Sequence, residues 1–164
     1  MKLDLSGSAY FLRPITPDDQ PVLLDIYACT RQSEMDLLHD WTQQQKQVFI
    51  RQQFDAQHTH YQKHYSGALF QLILQDSRPI GRLYWIQYPD DIRIIDIALL
   101  PNHQGKGIGT MLLSSIQKIA GEANKSVSIH VEIFNPALKL YERLGFKRIE
   151  VHGVYHFMVW KPNT

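Results

Sequence analysis

The helical spacing of apolar residues in the first part of this chain gives way to strand spacing at Gly67. Before those helices, residues 9–15 read as a short strand, and Thr16-Pro17-Asp18-Asp19 then opens a helix with a hydroxyl N-cap, proline at N1 and acids in the first turn. Val22, Leu23, Ile26 and Tyr27 recur at helical spacing to about Thr30. Residues 33–41 read as a loop or broken helix carrying Glu34, Asp36 and Asp40. Thr42 with Gln45 three places on is a capping-box pattern that starts a long helix toward His64.

Beyond Gly67 the period is that of strands. Residues 69–75, 80–88 and 92–100 read as three strands, joined by turns at 76–79 and 89–91. A helix follows the glycine-rich turn near residue 105, with Ile108, Met111, Leu112, Ser115, Ile116 and Ile119 on one face and Asn124 as its C-cap. A strand over 127–133 precedes a helix over 136–144 that Gly145 ends. Residues 146–151 and 154–160 close the chain as a hairpin about Gly153. No repeat, linker or low-complexity stretch interrupts the pattern, so residues 1–164 are expected to form one domain.

Composition narrows the function classes. Apolar residues make up 44% of the chain, an ordinary globular share, and the net charge is +1 with no block of like charges. That gives no support to a nucleic-acid or membrane-surface partner. The first ten residues carry Lys2 and Asp4 and lack the apolar core of a signal peptide. A single cysteine, Cys29, excludes an internal disulfide, fits a reducing cytoplasm, and reads as a small hydrophobe on the first helix.

The most informative stretch is 93–113, where an apolar β-branched run ends at Pro101 and a helical pattern follows Gln104-Gly105-Lys106-Gly107-Ile108-Gly109. Alternating glycines let the backbone approach a ligand closely, and a helix's first amides lack partners within the helix. The helix dipole adds partial positive charge, so a pyrophosphate is the natural guest. The spacing fits neither a P-loop, which needs Gly-Lys-Ser/Thr after four residues, nor the Gly-x-Gly-x-x-Gly of dinucleotide folds.

It resembles instead the Gln/Arg-x-x-Gly-x-Gly/Ala signature of the GCN5-related N-acetyltransferase superfamily. A second block agrees, since Asn135-Pro136-Ala137-Leu138-Lys139-Leu140-Tyr141-Glu142-Arg143-Leu144-Gly145-Phe146 is similar to that family's Asn-x-x-Ala-x-x-Leu-Tyr-x-x-x-Gly-Phe. The resemblance implies an α/β (α+β) fold: a mixed, mostly antiparallel seven-stranded sheet with helices on both faces. It implies acetyl-CoA as co-substrate, no metal, and direct attack on the thioester by a primary amine of a small molecule or a peptide. Rival readings are protein amino-terminal or lysine acetylation and a non-catalytic acyl-CoA-binding module. By analogy with relatives, a homodimer through the last strands is possible.

Carried over by position, Gln104, Gly105, Lys106, Gly107, Ile108 and Gly109 form the pyrophosphate turn. Leu99 offers its amide to the thioester, Asn135 contacts the cofactor arm, and Tyr141 protonates the leaving sulfur. Tyr141 also shares a helix face with Ala137, Leu140 and Leu144, so it equally reads as a core aromatic. A base is needed because an amine reacts only when neutral, and a lysine side chain has a pKa of about 10.4. Three residues qualify. Asp96 is the one charge within 94–100, either ion-paired with Arg82 or Arg93 or a free cleft carboxylate. His130 and Glu132 share the polar face of the strand 127–133, and His130 holds the position where some relatives place a catalytic glutamate. His58, His60 and His64 lack the further ligand a metal site needs and read as a solvated helix face. Glu34, Asp36 and Asp40 read either as an attractor of a cationic acceptor or as an ordinary solvated loop. Trp41, Tyr84, Trp85 and Tyr155 read either as lining of the acceptor pocket or as core.

Overall fold

A computed structural model describes residues 2–163. It contains β1 (Tyr10–Pro14), α1 (Gln20–Thr30), α2 (Gln32–Asp36), α3 (Gln43–His64), β2 (Leu69–Gln75), β3 (Arg78–Gln87), β4 (Asp91–Leu99), α4 (Ile108–Glu122), β5 (Ser126–Glu132), α5 (Leu138–Arg143), β6 (Lys147–His152) and β7 (Tyr155–Trp160). The strands form one seven-stranded sheet in the order β1-β2-β3-β4-β5-β7-β6. Every neighbouring pair is antiparallel except β4 with β5. The expected mixed sheet with helices on both faces is what the chain forms.

Each face carries its own core. On one, Ile92, Ile94, Val127, Ile129 and Val131 pack against Ile108, Leu112, Ile116 and Ala120 of α4 and Leu138 and Tyr141 of α5. On the other, Leu72 and Tyr84 pack against Leu23, Ile26 and Tyr27 of α1, Met35 of α2, and Ile50 and Phe54 of α3. The α4 face is turned slightly from the expected one: Leu113 is buried, while Ser115 spends its hydroxyl on the Met111 carbonyl. Past the end of α4, Asn124 takes a left-handed conformation (φ 56°), and its N–H and that of Lys125 close a Schellman motif on Gly121 and Ala120.

Local chemistry explains where the boundaries moved. The Thr42–Gln45 capping box forms as expected, with Gln45 N–H donating to Thr42 Oγ1 and Thr42 N–H to Gln45 Oε1. Residues 32–36 are a short helix, within the stretch read as loop or broken helix. The turn at 76–79 shrinks to Asp76 and Ser77, because Asp76 accepts a left-handed φ of 56° and Pro79 is absorbed at a register shift opposite Leu74. The helix expected from residue 136 begins at Leu138, since Asn135 Oδ1 accepts from the Ala137 N–H at 2.9 Å and holds the preceding residues in a turn. Thr16 opens a single 3₁₀ turn (Pro17–Asp19) before α1 rather than α1 itself.

Asp19 fixes that entry. Its carboxylate receives both terminal nitrogens of Arg13 at 2.8 Å and the Thr16 N–H at 2.7 Å, and the Arg13 guanidinium holds its pKa down at about 2, against an ordinary 3.8. A carboxyl depressed on folding stabilises above its unfolded pKa, and that contribution drains away as pH falls from about 4 toward 2. Asp19→Asn is expected to lower stability by roughly 1–2 kcal/mol at neutral pH and to flatten this acid limb, as read by urea melts across pH.

Candidate active site

Two neighbouring strands part in the middle of the sheet. The parallel ladder between β4 and β5 runs from Asp91–Ser126 to Ile94–Ile129. Beyond it β4 continues on β3 as far as Leu99, and β5 continues on β7 as far as Glu132. The Leu100 N–H donates to the Ile80 carbonyl at 2.8 Å, so Leu100 faces β3. Antiparallel strands alternate the direction of their polar groups, which turns the Leu99 and Ile97 amides the other way, into the gap. The Leu99 carbonyl confirms this orientation by accepting Gln104 Nε2 at 2.9 Å.

Gln104 thereby ties the strand end to the glycine turn. Gly105 and Gly107 take left-handed φ values of 71° and 82°, and a Cβ built on either would meet nothing within 4 Å. Both therefore present bare backbone to open space, along with exposed Lys106. Gly107 caps α4, whose first internal bond is Met111 N–H to the Gly107 carbonyl. Helix geometry leaves the amides of Ile108, Gly109 and Thr110 with no partner inside α4. At Gly109 an added Cβ would only reach ordinary contact with Leu140 of α5, at 3.8 Å. Asn135 is exposed at the start of the turn before α5.

The candidate acid and the candidate bases lie on opposite faces. Tyr141 belongs to the α4–α5 core, 4% exposed and edge-on to Phe146. Burial, with a smaller contribution from the Asp96 charge, pushes its pKa up, so it keeps its proton at neutral pH. His130 and Glu132 alternate with the buried Ile129 and Val131 and so face the other way. Asp96 is on that face too, opposite Tyr84 of β3.

Their surroundings differ. Asp96 is ion-paired with the fully buried Arg82, not with Arg93, and receives a long 3.5 Å contact from the Tyr61 hydroxyl. Arg93 instead donates to Ser128 and lies over the Phe157 ring. Glu132 is held by Arg31 at 3.0 Å, and the same guanidinium group binds Glu34 at 2.8 Å. His130 is exposed, with the Phe157 and His152 rings at 4.9 and 5.6 Å. Burial, Arg93 and His152 lower its pKa below the ordinary imidazole value of 6.5. Among the described residues His130 is thus the one base candidate without a counter-ion.

The acidic loop is largely spoken for, since Glu34 binds Arg31 and Asp36 accepts from Gln32. The three histidines of α3 form no metal cluster: His60 and His64 stack on each other and His58 on Phe54. Trp85 and Tyr84 are core, Trp41 packs on Phe49 beside an open groove, and Tyr155 is 38% exposed. Arg31, Tyr61 and Gly81 matter to the site without any sequence motif to announce them. A lone glycine inside a strand pattern does signal close backbone approach, and a Cβ at Gly81 would stand 2.3 Å from the Ala98 carbonyl.

The model of the Acetyltransferase (GNAT) family matches residues 34–146 of this sequence, well over half of it. The chain belongs to that family. An N-alpha-acetyltransferase of Saccharolobus solfataricus is 32% identical over 105 residues, covering 55% of this chain and 63% of its own. A [ribosomal protein bS18]-alanine N-acetyltransferase of Haemophilus influenzae is 27% identical over 85 residues, covering 51% and 58%. These matches span little more than half the length of the relatives concerned. The crystal structure of PaiA N-acetyltransferase from Thermoplasma acidophilum, in complex with coenzyme A, superposes with a TM-score of 0.69. At 19% identity over 93% of this chain and 98% of that one, it shows that the GNAT fold is shared.

The close approach of β3 to β4 at Gly81 is open to a direct check. Because Gly81 lets β3 approach the backbone behind Leu99, Gly81→Ala is expected to cost about 2–3 kcal/mol of stability in thermal or denaturant melts.

Proposed function

We propose that residues 1–164 form one acetyl-CoA-dependent N-acetyltransferase domain that passes the acetyl group directly to a primary amine. One observation carries the reading: the left-handed glycine turn at the head of α4 and the parted ends of β4 and β5 are joined through Gln104. The turn fits a pyrophosphate, with unpartnered amides, empty space above Gly105 and Gly107, and Lys106 beside them. The gap fits the pantetheine arm, with Leu99 donating its amide to the acetyl carbonyl as negative charge develops there. Asn135 borders the arm's path. No group of three metal-ligating side chains occurs among the described residues, and the chemistry asks for none.

In this scheme His130 takes the proton from the ammonium, and the neutral nitrogen forms the new C–N bond. The C–S bond breaks, Tyr141 gives its proton to the sulfur, and the surplus proton on the new amide nitrogen restores the tyrosine hydroxyl. His130 is preferred to Asp96 and Glu132 because each carboxylate already holds an arginine. A base with a lowered pKa is better matched to an α-amino group, with a pKa of about 7.7–8, than to a lysine side chain at about 10.4. That favours a peptide or small molecule bearing an α-amine, in keeping with the names of the relatives. The committed Glu34 and Asp36 leave little free charge to attract a polycation. No helix of the described residues is long and apolar enough to cross a membrane, and the single cysteine is in keeping with a reducing cytoplasm. The edge strand β6 is exposed at every residue and leaves a homodimer room to form.

Calorimetric titration is expected to show saturable binding of acetyl-CoA that Gly107→Glu abolishes, by strain at φ 82° and by repulsion of the pyrophosphate. No binding by the intact protein would end this reading. Tyr141→Phe is expected to lower kcat by about 100-fold or more at unchanged CoA affinity; binding without turnover of any amine would leave an acyl-CoA-binding module. With His130 as base, the acid limb of kcat/KM lies below the ordinary imidazole pKa of 6.5, and activity falls as pH drops through it. His130→Gln should remove that limb together with most of the rate.

A further inference from the structure

Asp96 sits where β4 breaks its regular pleat. Tyr84 pairs with Asp96 and Trp85 with Ile94, which makes Ile95 the extra residue of a β-bulge. The last pair between β4 and β5 is Ile94 with Ile129, so the bulge and the parting of the strands coincide. A bulge transfers everything beyond it to the other face of the sheet. Ile92 and Ile94 pack in the α4 core, and in an unbroken strand Asp96 would follow them there. Instead Ile97 and Leu99 take that side, while Ile95, Ala98 and Leu100 pack toward α1 and α3.

On that second face Asp96 meets Arg82, which is 2% exposed. Arg82 Nη2 donates to Asp96 Oδ2 and to Gln57 Oε1 of α3, the latter at 2.9 Å. The guanidinium group lies over the rings of Tyr84 and Tyr27, at 5.0 and 5.9 Å. One nitrogen therefore joins β3, β4 and α3. A one-residue slip that erased the bulge would carry the Asp96 carboxylate into the apolar α4 core, where it has no partner. The same slip would turn the Ile97 and Leu99 amides back toward β3.

We propose that the Arg82–Asp96 pair sets the bulged register of β4 and so aims the Ile97 and Leu99 amides into the gap. Arg82 is then a positioning residue for acetyl transfer that touches neither reactant. The inference rests on the acetyltransferase reading for its consequence in catalysis, but the register it describes is a property of the chain alone.

The decisive variant is Arg82→Met with Asp96→Leu. Replacing a buried ion pair by apolar groups of similar size is often neutral for stability, so the variant is expected to melt close to the parent. Its kcat for acetyl transfer is expected to fall about 100-fold as the thioester loses its aligned donor. Affinity for CoA without an acetyl group, held by the glycine turn, is expected to stay within about twofold. Hydrogen exchange at the Ile97 and Leu99 amides should slow in the variant as they gain partners on β3. Unchanged exchange, or a kcat within about threefold of the parent, would reduce the pair to a stabilising contact and overturn the proposal. Should the double variant fail to fold, Asp96→Asn, which leaves Arg82 its bond to Gln57, is judged by the same two criteria. Parent protein that neither binds nor uses acetyl-CoA would sink the acetyltransferase reading, and the exchange measurement would still decide the register.

Discussion

The structure depends on a ladder that stops. Were β4 and β5 paired along their whole length, every backbone group on their facing edges would be taken up in mutual hydrogen bonds, and the centre of the sheet would offer none to a ligand. Here pairing ends after Ile94 and Ile129, and polar backbone that has lost its partner must find another. Gln104 satisfies the Leu99 carbonyl, and the amide on the same residue points into the gap. The glycine turn, the N-terminus of α4 and the polar face of β5 all gain their meaning from standing around that gap.

Much of this was legible in the sequence because it is local. Capping at Thr42 and Gln45, the left-handed Asn124, and the alternation of Val127, Ile129 and Val131 each depend on residues a few places apart. The glycine turn was legible for the same reason. The turn expected over 76–79 is shorter in the structure because the strong turn signal of Arg78-Pro79 yields to the register opposite Leu74, where the proline is tolerated in a strand. Helix α5 starts two residues later than the sequence predicts, since Asn135 can cap or continue and the choice rests on one side-chain rotamer.

What the sequence could not supply was partnership at a distance. Spacing alone separates Glu132, His130 and Asp96 little as bases; their neighbours separate them. Arg82 lies fourteen residues from Asp96, and Arg31 about a hundred from Glu132, so no periodicity links either pair. The bulge at Ile95 was equally hidden, because an apolar run of β-branched residues looks the same with or without one. Both the charge pairs and the bulge depend on which strand positions meet across the fold, and that leaves no trace in spacing.

The division of the site between the two faces has a kinetic consequence. Tyr141 is buried on the α4–α5 side of the sheet, and Asp96, His130 and Glu132 lie on the other. In the proposed reaction the donor approaches from one side of the sheet and the acceptor from the other, meeting through the window between β4 and β5. Neither reactant then stands in the other's doorway, so each product can depart by the route its parent used.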